Sequence, residues 1–180
     1  DLVELQIYNQ KGKIDTKYDL SRDLKIAISE YAPDSEIIVD KKKYTSKYIT
    51  LPKGEQFPKH YFCVCPNCKK VNVFVSERTI DECKYCGQSL KAEKAEFYIE
   101  PIYGFKTGDT KESTRMKPKR SYSGEISYIG GGIKDDVHIH IGDAIEIETS
   151  TNDELLIMNK SAFYMCPECG YSEIIKGNTT

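Results

Sequence analysis

A chain of 180 residues has the length of one medium domain or of two small ones, and buries about 70% of its unfolded surface on folding. With 39% hydrophobic and 30% charged residues it is not a disordered chain. No apolar run approaches the ~18 residues of a membrane span or forms a signal peptide, so the expected location is the cytoplasm, with no membrane partner. The formal charge of −2 points to no partner by itself, but it is unevenly placed. Between 104 and 120 six Lys or Arg face two acids, giving +4; between 135 and 155 seven acids and no Lys or Arg give −7. A chain that starts at Asp1 rather than Met reads as a piece of a longer protein.

Residues 2–8 alternate as a strand, with Val3, Leu5 and Ile7 on one face. The one convincing helix follows. Ser21 is the expected N-cap, and Leu24, Ala27, Ile28 and Tyr31 form an apolar stripe at i, i+3, i+4 and i+7. Asp23 suits the positive end of the helix dipole, and Pro33 forces the stop. Beyond it the pattern is β. Residues 36–39 and 44–51 flank a hairpin turn at 40–43, and 61–64 and 71–75 flank the first cysteines. Residues 96–102 form a strand that Pro101 ends. Residues 107–121 are polar and aperiodic, with Gly108 and Pro118, and read as a long mobile loop. Residues 124–129 resume as strand. The segments 137–141, 144–149 and 154–159 read as a meander turning at Thr151-Asn152-Asp153, and 163–165 and 171–175 flank the last cysteines.

Seven cysteines without a secretion signal indicate metal or catalysis rather than disulfides. Cys65-Pro66-Asn67-Cys68 and Cys83-Lys84-Tyr85-Cys86 are separated by fourteen residues. Each such turn sets two thiolates on one side with backbone N–H groups aimed at the sulfurs. Two of them supply the tetrahedral, soft, closed ligand set of a structural zinc ribbon. Cys63 reads as a small buried residue on the entering strand. Cys166-Pro167-Glu168-Cys169 is a third knuckle, a second and weaker zinc candidate. Its missing ligands are His138 and His140, or residues beyond Thr180, the preferred reading; exchange with one of the other knuckles stays open. A thioredoxin-like role needs a helix directly after the pair, whereas Lys69-Lys70-Val71, Gly87-Gln88-Ser89 and Gly170-Tyr171-Ser172 read as turn and strand. The His-x-Glu of a zinc deaminase is absent, as is a Gly-x-x-x-x-Gly-Lys-Ser/Thr phosphate loop. Asp135 and Asp136 near His138 read as a charged turn rather than an acid/base site.

Lys106, Lys111, Arg115, Lys117, Lys119 and Arg120 are interleaved with hydroxyls and bracketed by Tyr103, Phe105 and Tyr122. Flexible cations neutralise phosphates and flanking rings stack on unpaired bases, so these are the nucleic-acid-binding candidates. The competing reading is a solvated loop that serves solubility.

Several segments, in order, carry a family resemblance. They are 21–33 leading into 36–44, both Cys-x-x-Cys knuckles with Gly87, 97–105, 117–125 and 163–171. Together they resemble the C-terminal accessory region of large DEAD/DEAH-box superfamily-two helicases, of the mitomycin-repair and bacterial genome-defence type. The likeness covers the chain from about Tyr18 onward and leaves residues 2–17 without a counterpart. It implies RecA-like motor domains in the same parent chain, ATP and magnesium bound only there, and DNA (a single strand or duplex junction) as the parent's partner. The motor motifs are not in this sequence.

The expected fold is α+β, mostly antiparallel β with one N-terminal helix and an embedded zinc ribbon. Residues 1–58 hold the first strand, helix and hairpin, 59–92 the ribbon, and 93–180 an antiparallel region with the basic loop at 104–122. The expected function is a zinc-stabilised accessory module that contacts or places nucleic acid, with no catalytic residue of its own. The alternatives are a protein-interaction or spacer module and, last, a free-standing redox or metal-dependent enzyme.

Overall fold

The protein is described by a computed structural model over residues 1–8, 13–76, 81–112, 117–129, 137–141, 145–149, 154–161 and 163–175. Its first elements are β1 (Leu2–Gln6), β2 (Ser21–Asp23), α1 (Leu24–Glu30), β3 (Glu36–Val39), β4 (Lys42–Ile49), β5 (Lys59–Val64) and β6 (Val71–Phe74). After a short 3-10 turn at Ala92–Lys94 come β7 (Glu96–Ile99), β8 (Phe105–Glu112), β9 (Gly124–Ile129), β10 (Val137–Ile141) and β11 (Ile145–Thr149). The last are β12 (Glu154–Asn159), β13 (Phe163–Met165) and β14 (Ser172–Ile174). This is the mostly antiparallel α+β fold expected from the sequence. No helix among the described residues is long and apolar enough to cross a membrane. The chain clusters into two compact units: Asp1–Phe57 with Glu100–Glu125 and Met158–Thr180, and Pro58–Ile99 with Ile126–Ile157.

The first unit is built on a five-stranded sheet in the order β2-β1-β8-β4-β3. The period-2 alternation of β1 sends Val3, Leu5 and the adjacent Ile7 into the core and leaves Leu2 and Glu4 outside. Helix α1 contributes Ala27, and its C-cap Tyr31 lies edge-on to Phe105 with ring centroids 5.9 Å apart. The N-cap is Asp23, whose carboxylate accepts the Lys25 N–H at 3.1 Å, not Ser21. Ser21 pairs instead with Glu4 in the β1–β2 ladder, so the strand contact outcompetes its capping role. The β3–β4 hairpin turns in two residues, Asp40 and Lys41, both with positive φ (46° and 62°). That is the turn whose twist matches paired strands, and it draws Lys42 and Lys43 into β4.

Residues 107–121 differ most from expectation. The segment through Glu112 is β8, the central strand, antiparallel to β4 and parallel to β1 at Leu5 and Gln6. The β4–β8 register shifts twice, between Tyr44 and Ser46 and between Ser46 and Tyr48. Gly108 lies at the first irregularity, where a Cβ would stand 2.7 Å from Lys47 Cγ. Bulges of this kind erase the period-2 pattern and put a glycine inside a strand, which is why the sequence reads as loop. Further on, Glu36 N–H donates to Lys119 O and Lys119 N–H returns a bond to Glu36 Oε2, each at 2.8 Å. Ser121 bonds to Ser35 and to the Pro33 carbonyl, and accepts from Ser161 Oγ at 2.7 Å. The segment is thus strapped to β3, the edge strand. The expected meander is also incomplete: β10 pairs with β11, but β12 pairs with β9.

The β13–β14 hairpin docks on the end of β4. Ile49 N–H donates to Gly170 O at 2.9 Å, Tyr48 bridges to Tyr171, and their rings meet edge-on at 5.4 Å. Gly170 has φ +73°, and a Cβ on it would lie 1.9 Å from the Ile49 carbonyl oxygen. Asp34 adds a charged anchor, accepting from Ile174 N–H at 2.9 Å and pairing with Lys47. Burial raises the Asp34 pKa, but the Lys47 ammonium and the Ile174 N–H outweigh it and hold the carboxyl below its usual 3.8.

Two outcomes are expected. Gly170→Ala forces a left-handed alanine against a carbonyl and lowers unfolding stability by about 2 kcal/mol or more, read from denaturant midpoints at constant slope. Asp34 has φ 66°, so Asp34→Asn keeps a residue that tolerates positive φ and removes the charge, at a cost of about 1–2 kcal/mol near neutral pH. Because the folded pKa is depressed, that stabilisation is present above about pH 4 and lost as pH falls through the lowered folded value. Wild-type and variant stabilities therefore converge in acid; a gap that persists there assigns the loss to packing instead.

Candidate metal centre

The second unit places its chemistry on a three-stranded sheet, β6-β5-β7, and two tight turns. The β5–β6 ladder runs from Tyr61 opposite Phe74 to Val64 opposite Val71, and the chain turns at Cys65 to Cys68 beyond it. One face of this sheet, with Cys63 and Phe74, forms a small core with Cys65, Cys83 and Leu90, backed by Tyr61, Tyr85, Ala92 and Ala95. So small a core is a weak source of stability by itself, as is usual for a ribbon.

Both turns share one hydrogen-bond frame. Cys65 N–H donates to Lys70 O at 3.0 Å, and Lys69 N–H donates back to Cys65 O at 3.0 Å. Cys83 N–H donates to Gln88 O at 2.8 Å, and Gly87 N–H donates back to Cys83 O at 2.9 Å. The residue after each pair is left-handed, Lys69 at φ 61° and Gly87 at φ 69°. This closes the turn and aims N–H groups at sulfur: those of Tyr85 and Cys86 at Cys83, of Gln88 at Cys86, and of Lys70 at Cys68.

The four sulfurs of Cys65, Cys68, Cys83 and Cys86 lie within 4.8 Å of one another. Cys65 to Cys86 and Cys68 to Cys83 are each 3.6 Å. Four thiolates arranged tetrahedrally at ~2.3 Å from an ion stand about 3.8 Å apart, so the set has the size of a closed four-sulfur metal site. Cys65 and Cys83 are buried, Cys68 is half-buried and Cys86 is exposed. Burial and the neighbouring sulfurs push Cys68 up to about 12. Cys83 falls to about 6 in spite of burial, because it accepts from the Tyr85 N–H, the Asn72 amide and the Cys86 N–H. Cys86 is lowered by the Gln88 N–H and the Asn67 amide. The N–H and amide donors thus favour thiolate at Cys83 and Cys86, and all four candidate ligands are protein sulfur. Such a set can hold a metal ion, and four sulfur ligands would leave that ion no open position for a reacting water.

The sequence reading missed Asn72. It is fully buried in β6, donates to Cys83 Sγ and to Lys70 O at 3.3 Å each, and accepts the Lys84 N–H at 2.9 Å. One amide thus ties the two knuckles together and orients a ligand. The available signal was an Asn flanked by Val71 and Val73 in a strand beside cysteines. Cys63 is buried with its thiol on Val64 O and its pKa raised by burial, outside the four-sulfur set as expected.

The other candidates are scattered. Cys166 and Cys169 form a knuckle without a third ligand among the described residues. The side chains of His138 and His140 lie outside the described residues, as do Arg115 and the Lys111 side chain. Lys106 is half-buried on β8 opposite Tyr48. Phe105, expected as a flanking ring, is core at 2% exposure. Tyr103 is exposed and Tyr122 half-buried. Lys117, Lys119 and Arg120 are exposed on the strapped segment. Comparison with family models, with curated proteins and with solved structures found no match for this chain.

Asn72→Ala is expected to weaken metal binding by about 10–100-fold, measured by competition with a chromogenic chelator. Asn72→Asp keeps the acceptor for Lys84 but faces Cys83 with a carboxylate, so it should weaken binding at least as much. Equal affinity in all three proteins would leave Asn72 with a packing role only.

Proposed function

We propose that this chain is a zinc-stabilised accessory module of an ATP-dependent DNA helicase, acting in the cytoplasm and holding or placing nucleic acid for motor domains of the same parent chain. The observation that carries the metal half is the four-thiol set, all sulfurs within 4.8 Å of one another and two pairs at 3.6 Å. An all-thiolate, tetrahedral, closed site suits zinc in a structural role. The ordered resemblance described above supports the helicase half, and ATP and magnesium belong to the motor domains.

Nucleic-acid contact falls to fewer residues than the composition suggests. Lys106 and Lys111 lie on the central strand β8, and Lys111 stands opposite Lys43 in the ladder. Lys117, Lys119 and Arg120 project from a segment whose backbone is fixed by Glu36, Ser35 and Pro33. A fixed backbone with exposed cations meets phosphate with less ordering of the main chain than a free loop requires. Tyr103, 39% exposed, is the ring of the original three best placed for a base.

The test is binding of the whole chain to a labelled single strand and a duplex across a salt series, with Lys117, Lys119 and Arg120 changed together to Ala. The expected result is steep salt dependence whose slope flattens by about two to three units in the variant. No binding at low salt would overturn the DNA-contact reading and leave a spacer or protein-interaction module. Zinc content after purification without chelators tests the metal half separately.

A further inference from the structure

The Cys166 turn repeats the frame of the two knuckles in the four-sulfur set. Cys166 N–H donates to Tyr171 O at 2.8 Å, and Gly170 N–H donates back to Cys166 O at 2.9 Å. These are the i to i+5 and i+4 to i bonds of Cys65 and of Cys83. The residue after the pair is again left-handed, at φ 73°. The N–H groups of Glu168 and Cys169 point at the Cys166 sulfur, as those of Tyr85 and Cys86 point at Cys83. The turn is also held rigidly from behind. Ser172, fully buried, donates its hydroxyl to Gly170 O at 2.8 Å, and Gly170 O accepts from Ile49 as well. Cys169 is exposed, so the open side of the turn faces solvent.

A simple β-turn joining β13 to β14 needs none of the N–H to sulfur geometry. The same frame, built twice in the second unit, brings four thiols together there. All seven cysteines are accounted for: four in that set, Cys63 in the ribbon core, and this pair.

We propose that Cys166 and Cys169 are two thiolate ligands of a second soft divalent metal ion, distinct from the four-sulfur site. The two further ligands are the same pair in a second copy of this chain, because every other cysteine is already placed and Cys169 faces solvent. This site is independent of any nucleic-acid role.

The experiment titrates the reduced, metal-free whole chain with Co²⁺, reading thiolate-to-cobalt absorption, and with Zn²⁺, reading bound metal per chain. Wild type is expected to exceed one ion per chain, and Cys166→Ser/Cys169→Ser to stop at about one. Saturating Zn²⁺ should also slow alkylation of Cys166 and Cys169 in the wild-type chain by about tenfold or more, read on the peptide by mass spectrometry; this needs no variant to fold. An excess of about half an ion that appears with dimers in sedimentation identifies the second copy as the source. A full extra ion on a chain that stays monomeric would overturn the assignment to a second copy. Uptake that stops at one ion in wild type, with alkylation of Cys166 and Cys169 unchanged by metal, would overturn the proposal. Cys65→Ser/Cys68→Ser separates the sites, since it should remove the first ion's uptake and leave the protection of Cys166 and Cys169.

Discussion

Four sulfurs within 4.8 Å of one another tolerate one another only with protons or a cation among them. That constraint governs the ribbon. The N–H groups of Tyr85 and Cys86 and the Asn72 amide pull Cys83 toward thiolate, while burial and the neighbouring sulfurs keep the proton on Cys68. A divalent ion removes the conflict, because all four sulfurs can then ionise around a common positive charge. Behind them stand three further buried side chains, Cys63, Phe74 and Leu90, and a few partial ones. For an ion in this site, binding and folding of the ribbon would be one event in thermodynamic terms, and affinity would fall as protons compete for the sulfurs.

The first unit solves a different problem. Its central strand β8 is polar along most of its length, and a polar strand gives little hydrophobic reason to occupy the middle of a sheet. What holds it is Phe105 at one end, wedged against Tyr31, and ladder bonds on both sides. Buried Ser46 and Thr107 face each other in that ladder. Ser46 Oγ donates to Tyr31 O at 2.8 Å, so the sheet, the helix end and the strand share one polar joint. The edge strand β3 is covered at its start by the strap from Lys119 to Ser121, which blunts a surface that could otherwise pair with another chain.

Legibility followed the range of the interaction. The β1 alternation, the β3–β4 hairpin and the three Cys-x-x-Cys turns are set by neighbours within a few residues, and the sequence shows them at nearly their true bounds. The helix was legible through Ala27 and Tyr31, but its cap shifted from Ser21 to Asp23 because β2 pairs with a strand some twenty residues away in sequence. Strand β8 was hidden because two register shifts break its pattern, and because its partners β1 and β4 lie far off in the chain. The pairing of β12 with β9 was hidden for the same reason. Asn72 was hidden because its role depends on a knuckle eleven residues downstream, although its place between two valines was a visible anomaly.

The same distinction separates the basic residues. Between 104 and 120 the charge is one block in the sequence, but folding divides it. Lys106 is half-buried in a strand, and the backbone of Lys111 pairs in register with that of Lys43. Lys43 itself is paired with Glu36 Oε1 at 2.8 Å, and the other oxygen of Glu36 receives the Lys119 N–H. Glu36 therefore neutralises one lysine with its charge and fixes the backbone of another. The Lys119 side chain remains exposed for the solvent or a partner. A single edge-strand carboxylate thus decides which cations serve the fold and which are left facing outward, and that division, rather than the net charge of the block, sets the surface an anionic partner would meet.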